Sequence, residues 1–289
     1  MSKRSKQQSQ LSSFFSIQSN SNPKKRRTNA SANVNVNTNN ISNELAEFLA
    51  SKLRVDSDST RIFACKPQYI TNDGKSWIIH MKQWMPSISL PTTSFQEEWD
   101  LHPKAPRNKI KIFNKLLEEK RWSQSWGKSI NYSSIVHSAR NIQESTIVPL
   151  LLDNINGMMQ NFHNNIGNGH DRSDRCKYMY NAVLQNWYEV EDSMGLHADD
   201  ESYLHPRAPI FSLSWGGTRR FLLRKKATAT GNDAQKGKGS DKIELWLEDG
   251  DLLVMGGTTQ ETHKHEVPKV RVKDPLTSRR INWTVRAVK

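Results

Sequence analysis

A histidine and an aspartate two positions apart, His197 and Asp199, are the first residues whose spacing suggests chemistry. On an extended backbone, residues i and i+2 point the same way, so an imidazole and a carboxylate can take adjacent positions on one metal ion. A third ligand must come from elsewhere, and His265 is the best candidate. Two histidines and one carboxylate form the facial ligand set of non-haem Fe(II) sites, which leaves coordination positions open. By itself the spacing is a weak signal, because most such pairs are unrelated surface residues.

The end of the chain alternates between polar and apolar side chains. Arg280, Asn282, Thr284 and Arg286 fall on one face of a predicted strand, and the residues between them fall on the other. This pattern is also typical of a strand with a solvated polar face. Its functional interpretation is a basic wall for a dicarboxylate, because a guanidinium group can bond both oxygens of a carboxylate. One arginine is enough to anchor a distal carboxylate, and two allow both ends of 2-oxoglutarate to be held.

Two more polar residues precede the histidine and aspartate. Asn186 and Tyr188 share one face of a predicted strand. Both can form hydrogen bonds near the proposed metal, although a buried tyrosine in a strand is common without any such role.

Short strands must position these residues. Alternation and turn signals predict strands over 182–188, 210–216, 219–225, 242–248, 251–255 and 280–288. A polar loop is predicted over 227–241, a helix over 147–162 with Pro149 in its first turn, and an earlier helix that starts near Ser42. Many short strands indicate an antiparallel sandwich or jelly roll. The predicted fold class is therefore α+β, mainly β: a double-stranded β-helix with flanking helices.

Six segments occur in the order expected of one family. They are Leu184–Tyr188, Gly195–Glu201, Pro209–Gly216, Gly250–Met255, His265–Pro268 and Arg280–Arg286. Each segment is a weak signal alone, but the ordered set resembles the AlkB family of Fe(II)- and 2-oxoglutarate-dependent dioxygenases, which remove alkyl groups from nucleic-acid bases. The resemblance is strong over residues 180–288, loose over 43–180 and absent from 1–42.

The resemblance implies a role for each matching position. The iron ligands would be His197, Asp199 and His265; the family places the second histidine three residues before a proline, which favours His265 over the nearby His263. The 2-oxoglutarate site would be lined by Asn186, Tyr188, Arg280, Asn282, Thr284 and Arg286. Iron, 2-oxoglutarate and O₂ would carry out the hard chemical step, and the protein would supply position and electrostatics.

The resemblance also implies a pocket for the damaged base. Asp200 and Glu201 would lie at its mouth, and an aromatic ring would stack on the base. Tyr132 is the first candidate for that ring and Trp126 the second, although both can equally well pack a lid against the core. Arg140 is a weaker candidate for a contact with phosphate or with the rim of the active site. A base inside a duplex cannot reach such a pocket, so the target must be flipped out or single-stranded.

Composition favours an anionic partner. The 289 residues carry a net charge of +13, which suits nucleic acid or an acidic membrane surface but also a merely solvated surface. The two cysteines lie far apart with no CxxC pair, which argues against a zinc ribbon or redox dithiol and fits a reducing compartment. No segment reads as a membrane span or a signal peptide, so we expect a soluble intracellular protein.

Residues 1–42 contain few apolar residues and are predicted to be a disordered tail. Gln8, Leu11, Phe14 and Phe15 fit the Q-x-x-hydrophobic-x-x-aromatic-aromatic pattern of sliding-clamp-binding peptides. The run Pro23–Arg27 resembles a nuclear localisation signal, and it also suits nonspecific contact with DNA. Together these features predict a eukaryotic enzyme of the nucleus that follows replication. We also expect the protein to be a monomer.

We therefore predict a tail over 1–42 and a dioxygenase domain over 43–289, with a helical, nucleotide-recognising part over 43–180 and a catalytic jelly roll over 181–289. The predicted function is oxidative dealkylation of bases of the 1-methyladenine and 3-methylcytosine type in DNA, for repair. Three alternatives stay open: the same chemistry on RNA, a protein substrate, and a non-enzymatic binding protein with an inactive oxygenase fold. The clamp-like peptide and the basic charge argue against a protein substrate, and the intact set of candidate ligands argues against an inactive fold.

Overall fold

Sixteen strands and four α-helices make up the described part of the chain. A computed structural model describes residues 38–52, 65–85, 93–112, 114–132, 135–165, 178–227, 242–270 and 279–289. The clamp-like peptide, the basic run at 23–27 and all but the first residue of the predicted loop at 227–241 lie outside these ranges. Among the described residues, no helix is long and apolar enough to cross a membrane.

The helices are α1 (Thr38–Lys52), α2 (Phe95–Trp99), α3 (Ile147–Asn165) and α4 (Thr259–Thr262), with a 3₁₀ turn at Ile142–Glu144. The strands are β1 (Gln68–Tyr69), β2 (Ser76–Met81), β3 (Lys109–Ile112), β4 (Lys115–Glu118), β5 (Trp122–Trp126), β6 (Ile130–Tyr132), β7 (Ile135–His137), β8 (Ala139–Arg140), β9 (Ala182–Tyr188), β10 (Met194–His197), β11 (Ile210–Gly216), β12 (Arg219–Lys225), β13 (Lys242–Leu247), β14 (Leu252–Gly257), β15 (His263–Val267) and β16 (Arg280–Arg286).

Two sheets carry the fold. The larger has eight strands in the order β1-β2-β14-β11-β16-β9-β5-β8, and the smaller has four in the order β10-β15-β12-β13. Two separate hairpins, β3-β4 and β6-β7, precede α3. Apart from the parallel pair β5-β8, the paired strands are antiparallel. This arrangement confirms the predicted jelly roll with flanking helices.

Strand β16 lies inside the larger sheet between β11 and β9, and all seven of its residues are buried. Its apolar face, with Ile281, Trp283 and Val285, belongs to the main hydrophobic core, to which helices α1 and α3 also contribute. Its polar face points to the other side of the sheet, where burial requires hydrogen-bonding partners. The solvated polar face considered above is therefore wrong for this strand.

Helix α3 forms because its apolar residues recur at helical spacing. Leu151, Ile155 and Met159 are buried in the main core, and Phe162 meets Phe48 of α1 with 5.2 Å between the ring centroids. Burying such a stripe stabilises a helix more than its intrinsic propensity does. The predicted helix over 147–162 is thus present, and it extends to Asn165.

Two expectations about the first half need correction. Helix α1 begins at Thr38, so Ser42 lies inside it and accepts a hydrogen bond from Trp77 Nε1 (3.0 Å) instead of capping the helix. The part over 43–180 is also less helical than predicted, because β1, β2, β5 and β8 join the larger sheet. Strand β2 pairs with β14 and β5 pairs with β9, far along the chain, and local sequence patterns do not reveal such long-range pairing.

Candidate metal and cosubstrate site

His197, Asp199 and His265 meet at one edge of the smaller sheet. His197 ends β10 and lies directly opposite His265 of β15, with ring centroids 4.2 Å apart. One possible ligand atom from each of the three side chains lies within 4.8 Å of the other two. Among the described residues, no other group of histidine, cysteine or acidic residues has this geometry.

Hydrogen bonds orient two of these side chains. His197 Nδ1 lies 2.8 Å from the Gly195 carbonyl oxygen, and a proton on Nδ1 leaves Nε2 free to bind a metal. Arg286 Nη2 donates to Asp199 Oδ1 (2.8 Å). The second carboxylate oxygen, Oδ2, is buried without a hydrogen-bond partner, and so is His265 Nδ1. Buried polar atoms without partners are rare in folded proteins, and here they fit a bound cation.

The electrostatics also favour metal binding. Burial by itself raises the pKa of Asp199, but Arg286 and the two imidazoles outweigh burial and hold that pKa at about 2. Burial, with a smaller effect from His197, lowers the pKa of His265 to about 3. At neutral pH the site therefore presents an ionised carboxylate and a neutral imidazole, which are the forms that ligate metals.

A cavity of about 30 Å³ lies beside these three residues, between the two sheets. All six residues predicted to line a 2-oxoglutarate site border it: Asn186, Tyr188, Arg280, Asn282, Thr284 and Arg286. They come from β9 and β16, which pair directly, with Tyr188 opposite Arg280 and Asn186 opposite Asn282. The alternation in each strand points both sets of side chains to the same side of the sheet.

Asn282 organises the polar floor of this cavity. Its Oδ1 accepts from Thr284 Oγ1 (3.1 Å) and from Asn186 Nδ2 (3.3 Å), and its Nδ2 donates to Ser212 Oγ (2.9 Å). Asn186 Oδ1 in turn accepts from Arg121 Nε (2.6 Å). A network of this kind holds each side chain in one rotamer.

Arg280 lies at the far end of the cavity. Its guanidinium carbon is 5.2 Å from the centre of the Tyr188 ring, and its Nη2 donates to Ser214 Oγ (2.9 Å). Its Nε and Nη1 are buried without hydrogen-bond partners. Charged guanidinium donors that are left unpaired at the end of a cavity suit a carboxylate, whose oxygens accept strong hydrogen bonds from them.

Sequence reasoning missed several residues of this region. Ser212 and Ser214 alternate with apolar residues along β11, and that alternation was a signal that could have been used. Arg121 and Gln260, which accepts the Asp199 backbone N–H (3.0 Å), have no local signal because each contacts the site across the fold.

Asp200 and Glu201 border a second cavity, of about 240 Å³, on the other side of Asp199. Asp200 is exposed and pairs with Lys226 (2.9 Å). Burial raises the pKa of Glu201, and the negative charge of Asp199 raises it further. Both residues thus adjoin the candidate metal ligands, at the edge of a space larger than the cosubstrate cavity.

One expectation about the base pocket is wrong. Trp126 is fully buried in the main core and lines neither cavity, because β5 turns its ring toward the helices. Arg140 packs over the Trp126 ring at 4.7 Å and pairs with Glu144 at the surface, and its contact with phosphate or with the rim of the site stays a prediction. Tyr132 ends β6 and pairs with Ile135, but its side chain lies outside the described residues.

His263 does not join the three candidate ligands. It is buried, and its Nδ1 lies 2.7 Å from Thr262 Oγ1, two positions before His265 on the same strand. The structure thus brings together the histidine pair that the Val-Pro context favours.

The sequence is similar to those of known proteins. A family model described as the 2OG-Fe(II) oxygenase superfamily matches residues 101–286. The alpha-ketoglutarate-dependent dioxygenase alkB homolog 3 of Rattus norvegicus is 38% identical over 112 residues, which are 38% of this chain and 36% of that protein. The DNA oxidative demethylase ALKBH2 of Arabidopsis thaliana is 37% identical over 122 residues, 38% of each chain.

A more distant relative and a solved structure extend the comparison. The ALKBH2 of Homo sapiens is 33% identical over 114 residues, which are 38% of this chain and 40% of that protein. The chain therefore aligns with about two fifths of the length of these relatives or less. A solved structure of OsALKBH1 covers 72% of this chain and 97% of its own, at 19% identity and a TM-score of 0.43.

Proposed function

Because the chain belongs to the 2OG-Fe(II) oxygenase superfamily, and within it to the AlkB family, we propose that it removes alkyl groups from damaged bases in DNA by oxidation. The observation that carries this proposal is the meeting of His197, Asp199 and His265 beside a cavity that ends in a buried arginine. Two of the relatives are named DNA oxidative demethylases, which supports DNA as the substrate and oxidative removal of a methyl group as the reaction.

The superfamily uses Fe(II), 2-oxoglutarate and O₂, which together supply an oxidant able to hydroxylate an unactivated carbon. His197, Asp199 and His265 would hold the iron and leave coordination positions open. Arg286, through its bond to Asp199 Oδ1, would keep the carboxylate turned so that Oδ2 faces the metal. A charged partner of this kind orients a ligand as well as neutralising it.

Arg280 and Tyr188 would receive the distal carboxylate of 2-oxoglutarate, and Asn186, Asn282 and Thr284 would line its length. The unpaired Nε and Nη1 of Arg280 support this orientation, since this buried cation still has hydrogen bonds to donate to a ligand oxygen. The polar network around Asn282 would hold these donors in place before the ligand enters.

The base would enter from the side of Asp200 and Glu201, with Tyr132 as the candidate for a stacking ring. The reaction would hydroxylate the carbon attached to a base nitrogen, and collapse of the resulting hemiaminal would release formaldehyde and the restored base. Because the site lies between two sheets, the target base must leave the stack of a duplex or be single-stranded from the start.

Two features of the first 42 residues support action on replicating DNA in the nucleus. Gln8, Leu11, Phe14 and Phe15 would bind a sliding clamp, and Pro23–Arg27 would direct the chain to the nucleus. Both would bring the enzyme to replicating DNA. The net charge of +13 supports DNA or another polyanion as the binding partner.

The test is a demethylation assay. The protein is incubated with Fe(II), 2-oxoglutarate and oligonucleotides that carry 1-methyladenine or 3-methylcytosine, as matched DNA and RNA strands, both single and double. We expect restored bases and formaldehyde, with faster turnover on DNA, and no turnover for His197→Ala. Restoration of neither base would contradict the proposal, and faster turnover on RNA would change its substrate.

A further inference from the structure

Arg219 is a buried arginine to which neither the family resemblance nor the site described above gives a role. It is the first residue of β12 and is only 1% exposed. The turn Gly216-Gly217-Thr218 carries the chain to it from β11 of the larger sheet. Gly216 pairs with Arg280, and the Gly217 N–H donates to the Arg279 carbonyl (2.9 Å). The turn therefore brings Arg219 to the Arg280 end of the cosubstrate cavity.

The hydrogen bonds of Arg219 go to neutral groups. Its Nη1 donates to the Thr218 carbonyl (3.2 Å) and its Nη2 to the Glu189 carbonyl (3.1 Å), while its Nε is buried without a partner. Glu189 directly follows Tyr188, whose ring lies against the Arg280 guanidinium. Arg219 thus ties the smaller sheet to the end of β9, beside the residues that face the far end of the cavity.

Arg219 and Arg280 place two positive charges in one buried region. Burial lowers the pKa of Arg219, and repulsion by the positive charge of Arg280 lowers it further, to about 10. Neither forms an ion pair with a carboxylate in the part of the chain that the structure describes. Buried charge without an opposite partner is unfavourable.

The two carboxylates that act on this pair from a distance are bound elsewhere. Asp192, which acts on Arg219, receives two hydrogen bonds from Arg107 (2.8 and 3.0 Å). Asp251, which acts on Arg280, lies 2.8 Å from His80 Nε2 and accepts backbone N–H groups. Among the described residues, no carboxylate is therefore left to pair with these two arginines, and a bound ligand can supply the negative charge.

We propose that Arg219 is a positioning residue for the cosubstrate. Arg219 makes the site favour a 2-oxo acid with a distal carboxylate over a 2-oxo acid that lacks this carboxylate. It does so in two ways: its charge adds to that of Arg280, and its bond to Glu189 holds Tyr188 in place. The inference rests on the proposed function in one respect, that 2-oxoglutarate occupies this cavity. It adds a determinant of selectivity that does not touch the ligand.

The proposal separates two classes of 2-oxo acid. 2-Oxoglutarate and 2-oxobutyrate share the 2-oxo carboxylate end, but only 2-oxoglutarate has a carboxylate at the other. Loss of the Arg219 charge should weaken the binding of 2-oxoglutarate and leave the binding of 2-oxobutyrate unchanged. A local collapse of the fold would weaken both by the same factor.

The experiment measures binding to the full chain without nucleic acid. Mn(II) replaces Fe(II) so that no turnover occurs, and calorimetry gives the Kd of each 2-oxo acid. For Arg219→Gln we expect the Kd of 2-oxoglutarate to rise about tenfold, as for loss of one buried charge interaction, and the Kd of 2-oxobutyrate to change by less than about twofold. Arg219→Lys keeps the charge and should retain most of the preference.

Arg224→Gln is the matched control, because Arg224 lies on the same strand but pairs with Glu266 on the exposed face. Its two Kd values should equal those of the wild type. If Arg219→Gln does not fold, Arg219→Met fills the same space without charge and takes its place. An unchanged Kd for 2-oxoglutarate, or an equal loss for both acids, overturns the inference. A chain that binds 2-oxoglutarate as expected but restores no methylated base would contradict the proposed function and leave this inference standing.

Discussion

Burial sets the chemical state of single residues in the candidate metal site. His265 is neutral at pH 7 because charging its buried imidazole is unfavourable, and Asp199 stays ionised because Arg286 compensates for its burial. The same side chains on the surface would offer a weaker and less selective set of ligands. Asp199 Oδ2 and His265 Nδ1 have no hydrogen-bond partner in the protein, so both atoms can still bind a ligand or a cation.

The two histidines of β15 allow a sharp test of the ligand assignment. We expect His265→Ala to weaken Mn(II) binding by at least about 100-fold, because one of three protein ligands is lost. His263→Ala removes a buried imidazole of the same strand and should leave Mn(II) affinity within about threefold of the wild type. Calorimetric titration gives both values. Equal losses in the two variants would remove His265 from the metal site.

Asp251 is the residue whose titration should matter for stability. Burial by itself raises its pKa, but hydrogen bonds from His80 and from the backbone N–H groups of Glu248 and Gln83 leave it below the ordinary value of 3.8. A depressed folded-state pKa stabilises the fold above pH 3.8, and this contribution is lost as the pH falls through the folded-state pKa.

We therefore expect Asp251→Asn to lower the free energy of unfolding at pH 7 by about 1–3 kcal/mol and to flatten its fall between about pH 5 and pH 2. Glu248→Gln, at an exposed partner of Lys82, should change it by less than about 1 kcal/mol. Urea titrations across this pH range measure both. An unaltered pH profile for Asp251→Asn would assign the acid sensitivity to other carboxylates.

At the scale of the elements, tight turns bring the two sheets to the cavity. Gly216 ends β11 with φ +90°, a conformation that side chains with a Cβ rarely adopt. A Cβ there would lie 2.5 Å from the Arg279 carbonyl oxygen and 2.7 Å from the Phe95 ring. Gly157 in α3 is the opposite case, since nothing lies within 4 Å of the position of its missing Cβ.

These two glycines should respond in opposite directions. Gly216→Ala combines a strained φ with a backbone clash and should destabilise the protein by about 2–4 kcal/mol. Gly157→Ala should stabilise it by about 0.5–1 kcal/mol, because alanine favours the interior of a helix. Chemical denaturation of both variants checks the signs, and a neutral Gly216→Ala would mean that the turn can rearrange.

At the scale of the whole molecule, charge is distributed unevenly along the chain. The first 42 residues hold seven of the 42 lysines and arginines and none of the 29 acidic residues. Under the proposed function, the basic segment would attract a polyanion and the oxygenase domain would carry out the chemistry. Because phosphate contacts release counterions, affinity for DNA should fall steeply with salt.

The clamp-binding prediction belongs to this scale, because it concerns a partner rather than the catalytic site. In calorimetry with a purified sliding clamp we expect Phe14→Ala with Phe15→Ala to weaken binding at least about 30-fold, since two apolar anchors are lost. Ser12→Ala with Ser13→Ala changes positions that the pattern leaves open and should bind as the wild type does. A wild-type chain without measurable affinity for the clamp would end this prediction.

The sequence by itself determined the positions of those strands whose own residues alternate or form an apolar run. The predicted first residues are correct for four strands, β9, β11, β12 and β16. A strand that is buried in a sheet has alternating or continuously apolar residues, and this pattern is contained in its own sequence. The ordered motifs also singled out His197, Asp199 and His265, which the fold brings together.

Only the tertiary structure decided which residues meet across long stretches of chain. Strands β10 and β15 are too short and polar to be recognised locally, and pairing alone makes them strands. The burial of Trp126, the bond from Arg121 to Asn186 and the position of Arg219 beside Arg280 depend on strand order in the sheets. The physical reason is that alternation shows which face of a strand is buried, whereas the packing of the whole chain decides what that face contacts.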